Sequence, residues 1–383
     1  MKTMVLNKIC KLEENRNPLE LVDLPAPILE EDKISQPTIF NEATELHRKN
    51  TVMPKAEPLW RKKFSEILCD SVANILVKVS ACGICHTELD EIEGRTPPPK
   101  FPIILGHQIV GRIEKIGSRV TKFKIGDRVG IAWIHSACGR CKFCLEGNEN
   151  LCEKFQATGR DVNGGYAQYT TVSEDFAFKI PDLFSDSEAA PLLCAGAIGY
   201  RSLRLTGMKG GENLGLVGFG ASAHLVIQMV KYKYPNSKIF VFVRSEGERN
   251  FAKELGAFWT GGIEDESPER LSCAIDTTPV WTPIVEALKN LERGGRLIIN
   301  AIRKEEVDKD SLLKLDYPHH LWFEKEIKSV ANVTRSDVSE FLQLAAEIPI
   351  RPEVQEFKLE EANKALVELK ERKIRGAKVL RIE

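Results

Sequence analysis

A cluster of four cysteines constrains this chain more than any other feature. It follows the pattern Cys138-x2-Cys141-x2-Cys144-x7-Cys152, so four of the ten cysteines fall within one loop. Four thiolates can close a tetrahedron around Zn²⁺, and such a closed shell leaves no open position for chemistry. The spacing therefore predicts a structural zinc site. An iron–sulfur cluster and unliganded buried cysteines are the alternatives, although buried cysteines rarely gather in so short a polar loop.

The composition is typical of a soluble globular protein of two or three domains. The chain has 383 residues, of which 43% are hydrophobic and 28% charged. Its 54 basic and 55 acidic residues leave a net charge of −1, without the basic excess of a nucleic-acid-binding or membrane-surface protein. The sequence shows neither a transmembrane segment nor the apolar core of a signal peptide. We therefore expect a cytoplasmic protein with no nucleic-acid or membrane partner.

The character of the sequence changes near residue 196. Before it, short apolar runs such as 75–79 alternate with turns rich in glycine and proline, which is typical of an antiparallel barrel or sandwich. After it, strand and helix patterns alternate, which predicts a parallel, doubly wound sheet of the α/β class. The predicted elements are strands at 214–217, 238–243, 273–276 and 296–300, helices at 221–234 and 246–255, and then a helix at 359–372 and a strand at 378–382.

Other cysteine and histidine residues stand far apart in the sequence. Cys85 follows a predicted strand, His107 comes about twenty residues later, and Cys194 lies much further along the chain. Taken singly, Cys194 is typical of a small buried apolar residue, and His107 of a hydrogen-bonded core histidine. Cys82 and Cys85 have the spacing of a redox pair, although no thioredoxin-like unit surrounds them. Spacing alone does not join these residues into one site.

A glycine-rich turn follows the first strand of the predicted parallel sheet. The pattern Gly218-x-Gly220-x-x-Ala223 stands between a strand and a helix. Glycines here permit a tight turn and a close approach of the backbone to a pyrophosphate, whose charge is met by the helix N-terminus. The same pattern occurs in ordinary strand-to-helix turns. Its position between these two elements nevertheless favours a dinucleotide-binding site.

The end of the next strand bears on which dinucleotide is bound. A site that prefers NAD normally has Asp or Glu here, which binds the ribose 2′-hydroxyl. In this chain the strand ends in Val243 and is followed by Arg244 and Ser245. Arg244 can form a charge-assisted pair with a 2′-phosphate, so we favour NADP over NAD. In the alternative, Arg244 is a solvated surface residue and Glu246 reaches the ribose.

Taken together and in this order, the motifs resemble those of the zinc-dependent medium-chain alcohol dehydrogenases. The resemblance covers nearly the whole chain except residues 32–71. It implies a GroES-like β-rich catalytic domain formed by residues 1–196 and 335–383, a Rossmann domain formed by residues 197–334, and an active site in the cleft between them. The motifs that carry it are Cys85-His86-Thr87, Gly106-His107, the four-cysteine loop, Gly164-Gly165-Tyr166-Ala167, the Cys194 segment and the turn at 218–223.

The resemblance also implies an activity and the residues that perform it. A catalytic zinc would be held by Cys85, His107 and Cys194, with its fourth position open to water or substrate. Thr87 would relay the substrate proton, and His86 would touch a cofactor phosphate. The implied reaction is hydride transfer between an alcohol or carbonyl compound and NAD(P), in a homodimer or homotetramer. A specialised reductase of polyol type and a zinc- and nucleotide-binding protein without turnover are the alternatives.

Three positions depart from the family's usual pattern. Glu88 replaces an aspartate that orients the ligand histidine, and we expect Glu to do this with a longer reach. Gln108 replaces a glutamate beside the histidine ligand and supplies no negative charge there. Asp90 lies near the place of a histidine that ends the proton relay, so we expect proton exit to run differently. Asp127 is either a further carboxylate near the site or a turn residue.

Residues 32–71 form a segment that is much longer than the family's usual connection. The segment is polar, carries two short basic runs and shows no clean periodicity. We expect a solvated excursion with a helix near 58–69. The alternative is a lid or an oligomer contact, because long ordered loops are often functional.

Overall fold

The computed structural model of the chain describes residues 1–29, 73–348, 350–371 and 376–383. The segment 32–71, for which we predict a solvated excursion with one helix, lies outside these ranges. Within them, no helix is both long and apolar enough to cross a bilayer.

Strands dominate the first half of the chain and alternate with helices in the second. The strands that the structure describes are β1 (Lys2–Leu6), β2 (Leu19–Asp23), β3 (Asn74–Ile84), β4 (Ile103–Ile104), β5 (Ile109–Ile116), β6 (Arg128–Ile131), β7 (Ile134–Ser136), β8 (Gln156–Ala157), β9 (Tyr169–Ser173), β10 (Ala177–Lys179), β11 (Leu214–Val217), β12 (Ile239–Phe242), β13 (Trp259–Gly261), β14 (Leu271–Asp276), β15 (Leu291–Ile299), β16 (Glu326–Ser329), β17 (Val354–Lys358) and β18 (Ala377–Arg381).

The helices are mostly short in the first half of the chain. Those in the described ranges are α1 (His86–Ile92), α2 (Lys142–Leu145), α3 (Asp186–Pro191), α4 (Ala197–Thr206), α5 (Ala223–Lys233), α6 (Glu246–Glu254), α7 (Thr282–Asn290), α8 (Tyr317–His320), α9 (Arg335–Glu347) and α10 (Ala362–Lys370). One turn between α3 and α4, Leu192–Gly196, is π-helical. Short 3₁₀ turns occur at Glu149–Leu151, Glu174–Phe176, Lys309–Lys314 and Leu359–Glu361.

A seven-stranded, largely antiparallel sheet organises the β-rich part of the molecule. Its strand order is β10-β6-β5-β3-β18-β17, and β9 also pairs with β3. The central strand β3 runs well beyond the predicted 75–79, because its second half pairs with β18, where Ile84 faces Lys378. That half holds small residues without an alternating pattern, so the sequence gives little signal for it. The pairing joins the C-terminal strand to the N-terminal part of the chain.

A six-stranded sheet, parallel throughout, forms the second structural unit. Its order is β13-β12-β11-β14-β15-β16, the doubly wound order in which the connections reverse between β11 and β14. The structure thus confirms the predicted α/β fold class. Two strands escape prediction: β13 is only three residues long, and β16 is an edge strand whose residues are all exposed, so neither shows an apolar run. Ligands of such sheets bind at the carboxyl ends of the strands beside the reversal point.

A buried ion pair fixes α9 against α4. Asp337, which is fully buried, accepts hydrogen bonds from Arg201 and Arg204 at 2.6 Å each. The hydroxyl of Thr334 donates to the same carboxylate at 2.7 Å and caps the start of α9. The Arg201 side chain is 9% exposed and that of Arg204 44% exposed, so the first of the two pairs is the desolvated one. This contact fixes α4, which follows the π-helical turn directly.

Candidate active site

Cys85 stands where the central strand of the mixed sheet gives way to a helix. Strand β3 ends at Ile84 and α1 begins at His86, which makes Cys85 the N-cap residue. Its Sγ accepts a hydrogen bond from the backbone N–H of Thr87 at 3.3 Å. Its own backbone N–H donates to Oε2 of Glu88 at 2.8 Å. This reciprocal capping fixes the thiol at the end of the strand.

Three side chains that are distant in sequence converge here. Sγ of Cys85 lies 3.7 Å from Nε2 of His107. With Sγ of Cys194 added, the three atoms all lie within 4.8 Å of one another. Zinc bonds of about 2.3 Å to sulfur and about 2.0 Å to nitrogen place tetrahedral ligand atoms roughly 3.5 to 4 Å apart. Both the donor atoms and their spacing fit a zinc ion with one open position.

Local backbone features place the other two residues of this set. His107 is buried and follows Gly106, whose φ is +95°, and a Cβ on Gly106 would lie 2.4 Å from the ring of Tyr166. Only glycine satisfies both conditions. Cys194 lies in the π-helical turn between α3 and α4. Single π turns inside helices are often found at functional sites.

Glu88 contacts the ring of His107 on its Nδ1 side. Its Oε1 lies 2.5 Å from Nδ1 of His107, and both side chains are almost completely buried. Burial lowers the pKa of His107, but the Glu88 carboxylate and the Cys85 side chain outweigh it and hold that pKa well above its ordinary value. In this orientation Nδ1 faces the Glu88 carboxylate and Nε2 points toward Cys85. A metal ion at this site has to compete with a proton on the ring.

The four cysteines of the predicted structural site also form one cluster. Sγ of Cys144 lies 3.9 Å from that of Cys138 and 3.6 Å from that of Cys141. Together with Cys152, all four sulfur atoms lie within 4.8 Å of one another. The backbone N–H of Cys138 donates to Sγ of Cys152 at 3.4 Å. Four sulfur atoms at this spacing fit a closed tetrahedral zinc site.

The backbone of this loop favours one of its thiolates. N–H groups of Arg140 and Cys141 lower the pKa of the Cys138 thiol to about 6. Burial and the neighbouring thiols raise the pKa of Cys144 to about 12. Thiolates repel one another when they are gathered without a cation, which is why the last of them hold their protons. A divalent cation would relieve this repulsion and release those protons.

The four-cysteine loop, which spans residues 138–152, is fastened to the start of α9. Glu149 is buried, and its Oε1 accepts the backbone N–H of Arg335 at 2.8 Å and Nε of the same residue at 2.9 Å. Asn150 Nδ2 donates to the carbonyl of Ala331 at 2.8 Å. The loop therefore connects the β-rich part of the chain to the segment that leaves the parallel sheet.

The glycine-rich turn lies at the carboxyl end of β11, beside the reversal point of the parallel sheet. Gly218 has a φ of +82°, and a Cβ there would lie 2.7 Å from Oγ1 of Thr277. A Cβ on Gly220 would face open space, so the backbone at Gly220 is accessible to a ligand. Ala223 is buried as the first residue of α5. These features suit the approach of a pyrophosphate to the helix N-terminus.

The glycine-rich turn and the three-residue ligand set are neighbours. Oγ of Ser222 donates to the carbonyl of Ala195 at 3.0 Å, one residue beyond Cys194. Nδ2 of Asn300, at the carboxyl end of β15, lies 3.4 Å from the same hydroxyl. The glycine-rich turn therefore contacts the π-helical turn that carries Cys194.

Basic residues surround the carboxyl end of β12. Arg244 is exposed, and Ser245 caps α6 by accepting the N–H of Glu248 at 3.2 Å. The guanidinium of Arg249 lies 3.3 Å from the carbonyl of Val243 and 3.4 Å from that of Arg244. Arg249 is not among the residues predicted from the sequence. Its signal was a basic residue one helical turn after Ser245, which places both on the same face of α6.

The sequence of this chain is similar to those of known proteins. A family model of the alcohol dehydrogenase GroES-like domain matches residues 72–182. The chain is 42% identical over 315 residues to the probable alcohol dehydrogenase AdhA of Mycobacterium tuberculosis, covering 81% of this chain and 89% of that protein. The chain belongs to the zinc-type medium-chain alcohol dehydrogenase family. It is an oxidoreductase of that family.

Two further comparisons support this placement within the family. An alcohol dehydrogenase of Geobacillus stearothermophilus is 35% identical over 327 residues, covering 82% of this chain and 93% of that protein. Among solved structures, a cinnamyl alcohol dehydrogenase of Sorghum bicolor superposes with a TM-score of 0.75 at 23% identity, covering 99% of this chain and 98% of that one. The structural match shows that the fold is shared.

The carboxylates of Asp90 and Asp127 both have hydrogen-bond partners. Oδ1 of Asp90 accepts hydrogen bonds from Nε of Arg95 at 2.5 Å and from Nε of Arg303 at 3.0 Å. Asp127 accepts the backbone N–H of Lys124 at 2.9 Å, as expected of a turn residue. These bonds hold Asp90 in an ion pair and Asp127 in a turn.

Gln108 packs against the strand that leads to Cys85. A Cβ on Gly83 would lie 2.6 Å from Oε1 of Gln108, so the amide is accommodated by a glycine in β3. Its Nε2 is buried and has no hydrogen-bond partner among the described residues. The side chain is thus a neutral, closely packed group beside His107.

The remaining two predicted residues lie on the first turn of α1. His86 is its first residue and is exposed, whereas the side chain of Thr87 is partly buried. Because Cys85 caps this helix, both residues stay close to the proposed metal site.

Proposed function

We propose that this protein is a zinc-dependent alcohol dehydrogenase and aldehyde reductase that transfers hydride between a small alcohol or carbonyl compound and NAD(P). The contact of Ser222 with the carbonyl of Ala195 carries the proposal, because it brings the glycine-rich turn, where the dinucleotide would bind, next to the proposed ligand Cys194. A hydride acceptor and a Lewis-acid site must lie side by side for this reaction.

The roles of the residues follow from where they lie. Cys85, His107 and Cys194 would hold a catalytic zinc, and the four cysteines of the 138–152 loop would hold a structural one. When bound, zinc supplies a Lewis acid for the substrate oxygen and the nicotinamide supplies a hydride acceptor. Thr87 takes the substrate proton, since its side chain lies on the first turn of the helix that Cys85 caps. His86 meets a cofactor phosphate at that helix N-terminus.

NADP is the proposed cofactor. Arg244 and Arg249 bring two guanidinium groups to the carboxyl end of β12, where the 2′-position of the adenosine ribose belongs in this fold. Strand β12 is followed by Val243, which brings no carboxylate to repel a phosphate. Ser245 already caps α6 through its hydroxyl, so we assign the larger share of phosphate binding to the two arginines.

The proposal also covers the domain organisation, the location, the oligomeric state and the substrates. The β-rich catalytic domain comprises residues 1–196 and 335–383, and the Rossmann domain comprises residues 197–334. The protein acts in the cytoplasm as a homodimer or homotetramer. Its substrates are small alcohols and aldehydes.

A steady-state assay of aldehyde reduction on zinc-loaded protein tests the function. NADPH and NADH are compared over a panel of aliphatic and aromatic aldehydes, and zinc per chain is measured on the same samples. We expect turnover with a preference for NADPH and two zinc ions per chain. The variant Cys85→Ser should hold one zinc ion and lose at least about 100-fold in kcat, which corresponds to roughly 3 kcal/mol. Full activity in Cys85→Ser would refute the ligand assignment.

A further inference from the structure

An ion pair crosses from the helix that carries the proposed proton relay to the parallel sheet. Asp90 lies on α1, three residues after Thr87, and therefore on the same helix face. Its Oδ1 accepts Nε of Arg303 at 3.0 Å. Arg303 belongs to the loop after β15, so the pair links two segments more than 200 residues apart in sequence.

The loop that carries Arg303 is anchored independently of Asp90. The backbone N–H of Asn300 donates to the carbonyl of Asp276 at 2.8 Å, and its side chain donates to Oγ of Ser202 at 2.9 Å. The N–H of Glu305 donates to the carbonyl of Pro279 at 2.7 Å. Residues 300–305 are thus tied to the carboxyl edge of the parallel sheet, the same edge that carries the glycine-rich turn.

The neighbouring Lys304 strengthens this anchor. Its ammonium group forms an ion pair with the fully buried Asp276 and donates to the carbonyls of Thr278 and Val280 at 2.7 and 3.0 Å. The backbone on either side of Arg303 therefore stays with the sheet, while the Arg303 side chain reaches Asp90 on α1.

Oδ1 of Asp90 accepts hydrogen bonds from two guanidinium groups. The Asp90 side chain is 6% exposed, that of Arg303 22% and that of Arg95 29%. Arg95 lies 2.5 Å from the same oxygen that Arg303 contacts, and it also forms an ion pair with Glu93. Charge-assisted hydrogen bonds to a carboxylate that is largely removed from water hold it in place. Such a carboxylate suits a positional role better than the acceptance of a substrate proton.

We propose that Asp90 and Arg303 form a clasp that holds α1 against the cofactor edge and thereby keeps Thr87 in register with the bound dinucleotide. Both are positioning residues in this proposal, which rests on the proposed function. The 300–305 loop lies on the edge that the cofactor occupies in a doubly wound sheet. If the bound cofactor favours the clasp, then by linkage the clasp favours cofactor binding to the same extent.

The test measures NADPH binding to zinc-loaded protein by the fluorescence of the reduced cofactor, without any turnover. The variants are Arg303→Gln, Asp90→Asn, the double variant and Arg303→Lys. Arg95→Gln is the matched control, because it removes a guanidinium from the same carboxylate oxygen and leaves the crossing contact in place. Zinc content and melting temperature are recorded for every variant, to confirm that each is folded and metallated.

We expect Arg303→Gln and Asp90→Asn each to raise the Kd for NADPH by about five- to tenfold. The double variant should bind no more weakly than either single variant, because one contact is lost in all three. Arg303→Lys should recover part of the affinity, and Arg95→Gln should stay within twofold of the wild type.

Three outcomes would overturn the clasp. The first is wild-type affinity in Arg303→Gln. The second is weak binding in Arg303→Gln together with wild-type binding in Asp90→Asn, which would mean that Arg303 contacts the cofactor directly. The third is an equal loss in Arg95→Gln. Failure of the proposed function is recognised separately, since the wild-type protein itself would then neither bind NADP(H) nor reduce aldehydes.

Discussion

Oε1 of Glu88 lies 2.5 Å from Nδ1 of His107, while its Oε2 accepts the backbone N–H of Cys85 at 2.8 Å. One carboxylate thus orients two proposed zinc ligands that come from different segments of the chain. The position three residues after the N-cap makes this possible, because a side chain there reaches back to the cap backbone. As expected from the sequence, the Glu88 side chain reaches the ring of His107.

Glu88→Gln should weaken zinc binding at the catalytic site. An amide can still approach the ring and the cap, but it brings no negative charge to favour the cation, so we expect a loss of about 10- to 100-fold in affinity. Competition with a chromogenic chelator measures this loss. The four-cysteine site in the same molecule serves as the internal control and should keep its zinc. Undiminished affinity at the catalytic site would show that Glu88 has no part in ligand orientation.

Cys141→Ser should release the structural zinc while leaving the catalytic one. The 138–152 loop is fastened to α9 through Glu149, so loosening the loop weakens that attachment. We expect one zinc per chain, a lower melting temperature and a shorter half-life on heating, with activity retained at low temperature. Cys10→Ser is the control, because Cys10 is a free thiol outside both clusters. An unchanged melting temperature in Cys141→Ser would contradict a structural role for the loop.

Arg244→Asp should reverse the cofactor preference. Loss of a charge-assisted bond to the 2′-phosphate, together with the repulsion added by a carboxylate, should lower kcat/KM for NADPH roughly 10- to 100-fold. The value for NADH should stay the same or rise. Arg249→Gln should show a smaller loss with NADPH, and Lys253→Gln, a basic residue in the last turn of α6, should show none. The ratio of the two kcat/KM values decides the outcome, and a ratio unchanged in Arg244→Asp would favour Glu246 as the ribose contact.

Asp337→Asn should destabilise the fold without touching the site. It leaves the buried guanidinium of Arg201 without its counter-charge, which we expect to lower the apparent free energy of unfolding by about 3 to 5 kcal/mol. Arg204→Gln should lower it by at most about 1 kcal/mol, because that side chain is far more exposed. Urea denaturation of the zinc-loaded protein measures both. Equal effects of the two substitutions would mean that the burial of Arg201 does not determine the loss in free energy of unfolding.

The sequence predicts best where the ligands are local. The four cysteines lie within fifteen residues, so their spacing alone indicated a common site. Cys85, His107 and Cys194 were joined only by the family resemblance, because nothing in spacing brings residues a hundred positions apart together. The structure places their ligand atoms within 4.8 Å of one another.

Contacts that depend on tertiary structure left no signal in the sequence. Arg303 is an ordinary surface cation until the fold brings it to Asp90. Strand β16 has no apolar run, since it lies at the edge of its sheet and is fully exposed. The second half of β3 is set by its pairing with β18, whose residues lie near the other end of the chain.

The position of Cys194 depends on the length of the π-helical turn at Leu192–Gly196. A π turn holds one residue more than the α turn it replaces, and each residue of a helix advances it by about 100°. Deleting one residue of this turn other than Cys194 would let the helix close regularly, and Cys194 and Arg201 could no longer both face their present partners. The position of this proposed ligand therefore depends on the number of residues in the turn as well as on its thiol. A sequence alignment that closes up this segment by one position would place a different residue at the proposed ligand position.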